Sequence, residues 1–536
     1  MHPTLYQLNT RVHLTRLARQ LGRPSTLDDL PDSLFSELAH HGFHWVWLLS
    51  VWRTGPFAAS ISRSHPAWRE EFQHSLPDLE EADIGGSGFA ITEYAVHPDL
   101  GGPAALQRVR QRMQSHGLKL LLDFVPNHVA PDHAWVWQHP DFFVAGTPHD
   151  LLAQPQNYLR LNTAAGERII AHGRDPYFDG WPDTVQLDYS NPAVVEQMTQ
   201  QLLAIAQQCD GVRCDMAMLL LPDVFLRTWG RAALEFWPQA ARRIRERHPK
   251  FLLLAEVYWN REWDLQQQGF DYTYDKQLYD RLRAGDASSA RDHLRADLTF
   301  QNRLARFLEN HDEPRAAAVM SADQQEAAAI ITYFIPGMRF FHEGQADGHL
   351  VRISPHLIRG PDEPTNERLR SFHERLWQTL RDPVFHEDTW QQLDCLPAWH
   401  DNPSHDCFLC FAWKPVATNS SVASDSNAAA DQASAAVTTW QLIAVNFAPH
   451  RSQCFVRWPR QTHHDQLSTT PIPHDARIAL TDRLSDARYE RELHDLLTRG
   501  LYLDLPAWGY HIFTVSNVVT TGASRLDAIV VSNSPD

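Results

Sequence analysis

The sequence predicts an α/β fold, a (β/α)₈ barrel of the TIM type followed by a C-terminal antiparallel β-sandwich. Up to about residue 380, short apolar runs alternate with amphipathic helical stretches, as in parallel α/β folds. Past residue 385 the pattern changes to short strands separated by turns, which is typical of a sandwich. The predicted barrel strands are Tyr6–Val12, Phe43–Ser50, Leu118–Phe124, Gly211–Asp215, Phe251–Val257, Phe270–Tyr274, Ala305–Leu308 and Met338–Phe341.

One connection of the predicted barrel is far longer than the usual strand-to-helix loop of about 2–6 residues. We interpret residues 125–190, which follow the third strand, as a small inserted domain. The connection between Val51 and Asp99 is also long and is predicted to form another wall at the rim. The expected domains are the barrel at 1–124 and 191–384, the inserted domain at 125–190, the sandwich at 385–518 with a flexible loop at 416–439, and a tail at 519–536.

Composition limits the possible partners. The chain has a formal net charge of −17 and no run of Lys or Arg, which argues against nucleic acid and anionic membranes. There is no apolar run of membrane-spanning length and no signal-peptide pattern at the amino end, so we expect a soluble, cytoplasmic protein. The C-x-x-C of Cys407 and Cys410 has no second pair, which disfavours a zinc site.

The stretch Asp210–Met218, DGVRCDMAM, resembles a buried strand that ends in charged residues. Because strand side chains alternate in direction, Arg213 and Asp215 are predicted to lie on one face. The arginine favours the ionised carboxylate, which is the form that a carboxylate nucleophile needs. A structural ion pair is the alternative interpretation of this segment alone.

Three further predicted strands also end in acidic residues. The third runs into DFVPNH (Asp123–His128), the fifth carries Glu256 in FLLLAEVYW, and the seventh leads into ENHDEPR, which contains Asp312. Acidic groups at the ends of apolar strands cost stability unless they are paired or used. Since functional side chains of such barrels collect at the carboxyl ends of the strands, we predict an active site there.

These segments carry a resemblance to a known family. DFVPNH, GVRCD, the Glu of LLAEVYW and ENHDE resemble, in order and spacing, four sequence regions of the α-amylase family of glycoside hydrolases, family 13. Within Gly86–Gly102, GSGFAITEY and HPDLGG resemble its second-strand region. Asp132–Phe143 and Phe178–Tyr189 are more similar to maltosyltransferases, trehalose-acting enzymes and oligosaccharide glucosidases than to secreted starch amylases.

The resemblance implies a retaining mechanism in which Asp215 is the nucleophile and Glu256 the general acid and base. Asp312 would bind sugar hydroxyls and distort the ring. Retention requires two carboxyl groups about 5–5.5 Å apart, one ionised and one protonated. Glu256, at the end of an apolar strand beside other carboxylates, is expected to have a raised pKa.

The resemblance also assigns residues that bind the sugar in the cleaved subsite. His128 and His311 would donate hydrogen bonds to it, Phe89 would stack on it, and Asp123 would organise the site. A loop-capping role for His128 and a core role for Phe89 are the alternatives.

We expect no metal or cofactor. Asn127 matches a position that binds calcium in calcium-dependent relatives. Leu219 stands where those relatives have a histidine, and this disfavours calcium here.

The leading hypothesis is a retaining α-glycosidase that hydrolyses α-glucosidic bonds in short oligosaccharides or disaccharides. The alternative is an α-glucan transglycosylase or isomerase, similar to a maltosyltransferase or a trehalose synthase. A non-catalytic binding protein is disfavoured because all three carboxylates are present. The expected partner is a small carbohydrate, while the substrate, its linkage and the oligomeric state stay open.

Overall fold

The computed structural model describes residues 2–387, 389–414, 439–459 and 476–518. The chain forms two compact units, Met1–Arg381 and Asp382–Asp536. The predicted tail and, apart from residue 439, the predicted flexible loop lie outside the described residues. None of the helices in the described part of the chain is both long and apolar enough to cross a lipid bilayer.

Eight parallel strands close into a barrel in the first unit, so the predicted barrel is confirmed. Each strand pairs with the next one along the chain, and the last strand pairs with the first in a register that sets Thr4 opposite Arg339. The strands are β1 Thr4–Asn9, β2 Trp45–Leu49, β3 Lys119–Phe124, β4 Gly211–Cys214, β5 Leu252–Ala255, β6 Tyr272–Tyr274, β7 Leu304–Arg306 and β8 Met338–His342.

The predicted end of the first strand is wrong. The strand ends at Asn9 rather than Val12, and a helix begins at Thr10. Asn9 ends the strand because its side chain accepts a hydrogen bond from the backbone N–H of Val12 and so caps that helix.

Helices surround the barrel and bury one apolar face against it. In the helix Gly102–Ser115, for example, Leu106, Val109 and Met113 are buried at helical spacing. The helices of this unit are Thr10–Leu21, Asp32–His40, Pro56–Ser64, Pro66–Ser75, Gly102–Ser115, Ala134–Gln138, Pro148–Ala153, Pro192–Ile205, Pro222–Trp229, Trp237–Arg247, Glu262–Gln267, Lys276–Arg283, Ala287–His293, Leu298–Gln301, Ala316–Val319, Ala322–Tyr333 and Glu367–Leu380.

The two long connections contain small sheets of their own. Between β2 and β3, Trp52–Thr54 pairs with Ile91–Val96. Between β3 and the helix Pro192–Ile205 there are two antiparallel pairs, His128–Val129 with Val185–Gln186 and Tyr158–Thr163 with Gly166–Ala171. Both connections leave carboxyl ends of barrel strands and therefore extend over that face of the barrel.

The second unit contains two antiparallel sheets, which confirms the predicted sandwich. Its core joins Phe408 and Leu442 of the larger sheet to Val456 and Leu503 of the smaller one. The larger sheet contains Thr389–Leu393, Phe408–Lys414, Trp440–Asn446, Tyr510–Val518, Arg477–Asp482 and Arg488–Glu492, and the smaller one Cys395–Pro397, Ser452–Val456 and Leu501–Leu505. Two helices, Val384–Glu387 and Leu493–Thr498, accompany them.

Candidate active site

The carboxyl ends of β3, β4, β5 and β7 bring the predicted acidic residues to one face of the barrel. The ladder fixes their relative heights, since Arg213 on β4 lies opposite Asp123 on β3 and Leu254 on β5. The pairing continues past the strands, where Asp215 N donates to Phe124 O at 2.8 Å and Glu256 N donates to Cys214 O at 3.0 Å. The backbones that carry Asp215 and Glu256 are therefore adjacent.

Arg213 joins the three carboxylates that the sequence singled out. Its Nη1 lies 2.5 Å from Asp215 Oδ1, and its Nη2 lies 2.8 Å from Glu256 Oε2 and 3.9 Å from Asp312 Oδ2. Since one planar guanidinium contacts both Asp215 and Glu256, these two carboxyl groups face a common space. Asp215, Glu256 and Asp312 therefore form one cluster.

Aromatic rings enclose the guanidinium of Arg213. Its carbon lies 5.4 Å from the centre of the Trp47 ring, 5.2 Å from that of Phe89 and 5.9 Å from that of Tyr274. Burial lowers the pKa of Arg213, but the negative charges around it, of which Glu256 contributes most, outweigh burial and keep this pKa well above its usual value. The arginine is thus a fixed positive charge at the centre of the site.

Glu256 is buried and accepts hydrogen bonds on both carboxyl oxygens. Met216 N donates to Oε2 at 2.7 Å, and the Tyr258 hydroxyl donates to Oε1 at 2.9 Å. Burial, helped by the charges of Asp215 and Asp312 and opposed by Arg213, raises the pKa of Glu256 to about 8. Near neutral pH this carboxyl group therefore holds a proton.

Asp312 is the most accessible of the three acids, with 36% of its side chain exposed against 8% for Asp215 and 4% for Glu256. Its Oδ2 lies 3.1 Å from His311 Nε2, and His311 Nδ1 lies 2.8 Å from the side-chain nitrogen of Gln7. Burial lowers the pKa of His311 to about 4, so the ring is neutral. An exposed carboxylate beside a neutral imidazole suits the binding of sugar hydroxyls.

Asp123 is fully buried and ties β2 to β3. Its carboxyl group accepts hydrogen bonds from Trp47 Nε1 at 3.0 Å and from the backbone N–H of Ser50 at 2.8 Å. Burial raises its pKa to about 7, against the opposing charge of Arg213. Asp123 therefore supports the ring of Trp47 beneath Arg213.

The structure places the other two predicted residues on the walls around this cluster. The ring of Phe89 lies 5.5 Å from that of His311, and the buried His128 ring lies 5.2 Å from that of Trp181 in the inserted segment. Burial lowers the pKa of His128, which is therefore neutral near pH 7.

Tyr258 and the backbone of Met216 were missed by the sequence analysis. Tyr258 follows Glu256 by two residues, and that spacing was the available signal. Met216 has a φ of +42°, and Trp259 and Asn260 have φ values of +60° and +61°. Such backbone strain concentrates at functional sites, but the sequence contains no glycine here to indicate it.

Asn127, the position that resembles a calcium ligand, is satisfied by protein groups. Its Nδ2 donates to Gln186 Oε1 at 3.1 Å, and Gln186 Nε2 donates to its Oδ1 at 3.0 Å. Within the described ranges, no group of three or more His, Cys, Asp or Glu side chains is arranged to hold a metal ion.

The sequence model of the α-amylase family, which describes its catalytic domain, matches residues 72–394. The chain therefore belongs to the α-amylase family. It is 27% identical over 286 residues to an α-amylase, MalA, from Haloarcula japonica, covering 52% of this chain and 39% of the relative. An α-glucosidase from Culex pipiens is 22% identical over 48% of this chain and 53% of its own length. An α-1,4-glucan:maltose-1-phosphate maltosyltransferase from Pseudomonas aeruginosa is 25% identical over 44% of this chain and 30% of its own length.

These matches span about half or less of the relatives' lengths. Among solved structures, a maltogenic α-amylase from Thermotoga neapolitana is similar with a TM-score of 0.64 and 17% identity, covering 96% of this chain and 98% of the other. At that identity the likeness establishes the fold.

Proposed function

We propose that the protein is a retaining α-glycosidase that hydrolyses α-glucosidic bonds in short oligosaccharides or disaccharides. The observation that carries the proposal is the bridge that Arg213 makes between Asp215 and Glu256. Both carboxyl groups contact the same guanidinium and therefore lie close together, and burial raises the pKa of Glu256 to about 8 although Arg213 opposes this. Retention needs one carboxyl group that holds its proton, the role we give to Glu256, and a second one that attacks the sugar, the role we give to Asp215.

In the first step, Asp215 attacks the anomeric carbon while Glu256 gives its proton to the departing glycosidic oxygen. The bond to the aglycone breaks as the bond to the Asp215 oxygen forms. In the second step, the ionised Glu256 takes a proton from water, and the resulting hydroxide displaces Asp215 from the sugar. Glu256 ends protonated, which restores the starting state.

Asp312 and His311 bind hydroxyl groups of the reacting sugar, and Phe89 lies against its ring. His128 lies beside Trp181 of the inserted segment. The nearness of this segment to the site favours a confined pocket and hence short substrates. The similarity to an α-glucosidase supports the same conclusion.

The test is turnover of maltose, trehalose, sucrose, isomaltose and maltotriose by Asp215→Asn and Glu256→Gln. Both replacements nearly preserve shape, and a thermal melt checks that each variant is folded under the conditions of the assay. Turnover should fall at least about 10³-fold in each, since neither amide replaces a nucleophile or an acid. Substantial activity in folded Asp215→Asn would refute its assignment.

Transfer to a sugar or phosphate acceptor is the second candidate. It is favoured by the low exposure of Asp215 and Glu256, which limits access of water, and by the similarity to a maltosyltransferase. Product analysis with and without added acceptor separates the two. Longer or phosphorylated products that form at the expense of free glucose would establish transfer.

A further inference from the structure

The first unit contains a second cavity, away from the carboxylate cluster. Its volume is about 620 Å³, which lies within the range of small-molecule sites. It opens between the helix Thr10–Leu21 and the long connection from β2 to β3. Its charged and titratable lining consists of Arg11, Arg63, His97 and Asp99, and none of the predicted active-site residues contributes to it.

Arg11 is a buried cation with only neutral acceptors. It is 8% exposed and donates from Nη1 to Gly86 O at 2.8 Å and from Nη2 to Thr54 Oγ1 at 3.1 Å. No carboxylate of the described residues lies within 4.0 Å of it. Four of the buried arginines do have a carboxylate within that distance, namely Arg213, Arg306, Arg315 and Arg359.

A buried charge without a counter-ion is costly. Burial lowers the pKa of Arg11 to about 10, and the more distant charges of Asp123 and Asp99 only partly oppose this. An anion in the cavity would supply the missing negative charge.

Arg63 is exposed and supplies a second positive group, whose Nη1 has no hydrogen-bond acceptor among the described residues. Its Nε and Nη2 donate to Ile84 O at 3.2 and 2.9 Å, and no carboxylate among the described residues pairs with it. The acidic residue in the lining is Asp99, and 86% of its side chain is exposed to solvent. Its Oδ2 lies 3.6 Å from His97 Nδ1. Of the charged residues that line the cavity, Arg11 is therefore the buried one.

We propose that this cavity binds a sugar phosphate, with the phosphate between Arg11 and Arg63. Guanidinium groups match phosphate oxygens in charge and in the fork of their donors. The volume exceeds the needs of phosphate alone. No Phe, Tyr or Trp lines the cavity, so a nucleotide would find no large aromatic side chain on which to stack its base. The hydroxyl of Thr54, which also lines the cavity, can donate a hydrogen bond to a sugar hydroxyl.

Isothermal titration of the full chain with glucose 6-phosphate, glucose 1-phosphate, glucose and inorganic phosphate tests the proposal. We expect saturable binding of at least one of the esters, weaker binding of phosphate, and no binding of glucose at this site. Arg63→Gln should weaken ester binding about tenfold or more, since a hydrogen bond between charged groups is lost. Arg168→Gln is the matched control, because Arg168 is exposed and its one acceptor among the described residues is Glu167 O.

A second variant removes space rather than charge. Ala18 lines the cavity, so Ala18→Leu should also abolish ester binding while leaving both arginines in place. The proposal is overturned if the wild type shows no saturable ester binding, or if Arg63→Gln and Ala18→Leu bind as the wild type does. Inorganic phosphate binding as tightly as the esters would refute the assignment of the sugar. Asp215→Asn should bind the ester normally, which separates this site from the active site.

Discussion

Arg213 contacts three acids with two nitrogen atoms, and this geometry depends on its planar fork. A lysine in its place keeps the charge but contacts carboxylates from one nitrogen on a flexible stem. We predict that Arg213→Lys lowers kcat at least about 100-fold, since small displacements of the reacting groups are that costly. Steady-state kinetics and a thermal melt measure the two effects.

The control for this variant is Arg110→Lys. Arg110 pairs with Asp210 at 2.6 Å, just before the same strand, and contacts none of the three acids. It should alter stability slightly and leave kcat unchanged. Equal losses of kcat in the two variants would mean that Arg213 acts through the fold alone.

Tyr258 tunes the acid through one hydrogen bond. Its hydroxyl donates to Glu256 Oε1, and this stabilises the ionised carboxylate and holds its pKa down. Tyr258→Phe should therefore raise the pKa of Glu256 by up to about one unit. Activity needs the protonated acid, so it falls as pH rises through about 8 in the wild type and at higher pH in the variant.

The pH dependence of kcat/KM on a disaccharide measures this shift. Tyr272→Phe, at the amino end of β6, is the control and should leave the profile in place. If kcat/KM of Tyr258→Phe falls at the same alkaline pH as that of the wild type, the hydrogen bond does not affect the pKa of the catalytic acid.

At the level of elements, β4 and β5 hold the site together because they approach closely. A Cβ added at Gly211 would lie 2.8 Å from both the Cβ and the carbonyl oxygen of Leu252, and 3.0 Å from Leu121 Cδ1. Only glycine fits there without moving a strand. Gly211→Ala should therefore destabilise the fold by about 1–3 kcal/mol and lower kcat by displacing Asp215 from Glu256.

Chemical denaturation and kinetics of Gly211→Ala test that expectation. Gln200→Ala, on the exposed face of the preceding helix, serves as the control. If the free energy of unfolding falls without any loss of kcat, the distance between β4 and β5 does not determine the positions of Asp215 and Glu256.

At the scale of the whole molecule, periodicity made the barrel and the sandwich predictable, since buried strands and amphipathic helices leave different repeats in the sequence. The meeting of Asp215, Glu256 and Asp312 followed from their places at the ends of parallel strands. The first strand's end was missed because the apolar residues of TRVHLTRL continue without a break into the helix. Three features could not be predicted in this way, because they depend on side-chain rotamers and loop conformations that leave no periodic pattern in the sequence. They are the contact of Arg213 with Glu256, the hydrogen bond of Tyr258 and the cavity at Arg11.

The whole molecule also has a pH-dependent stability that follows from its buried acids. Burial raises the pKa of Asp183 to about 7, above the value of about 3.9 expected in the unfolded chain, and its Oδ2 has no hydrogen-bond partner in the described part of the chain. The folded state therefore binds a proton that the unfolded state has already lost. Stability from this group is full below about pH 4 and is lost as the pH rises to about 7. Asp123 and Glu256 act in the same direction.

The asparagine of Asp183→Asn cannot ionise, so this variant should not lose the stability that the wild type loses when Asp183 ionises. We expect the fall in unfolding free energy between pH 5 and pH 8 to shrink by a few kcal/mol, with a higher unfolding temperature than the wild type at pH 8. Asp179→Asn, an exposed neighbour in the same segment, should leave the fall unchanged. Thermal melts of the three proteins across this pH range measure the effect. If the unfolding temperatures of Asp183→Asn and the wild type change equally with pH, Asp183 does not hold a proton in the folded state.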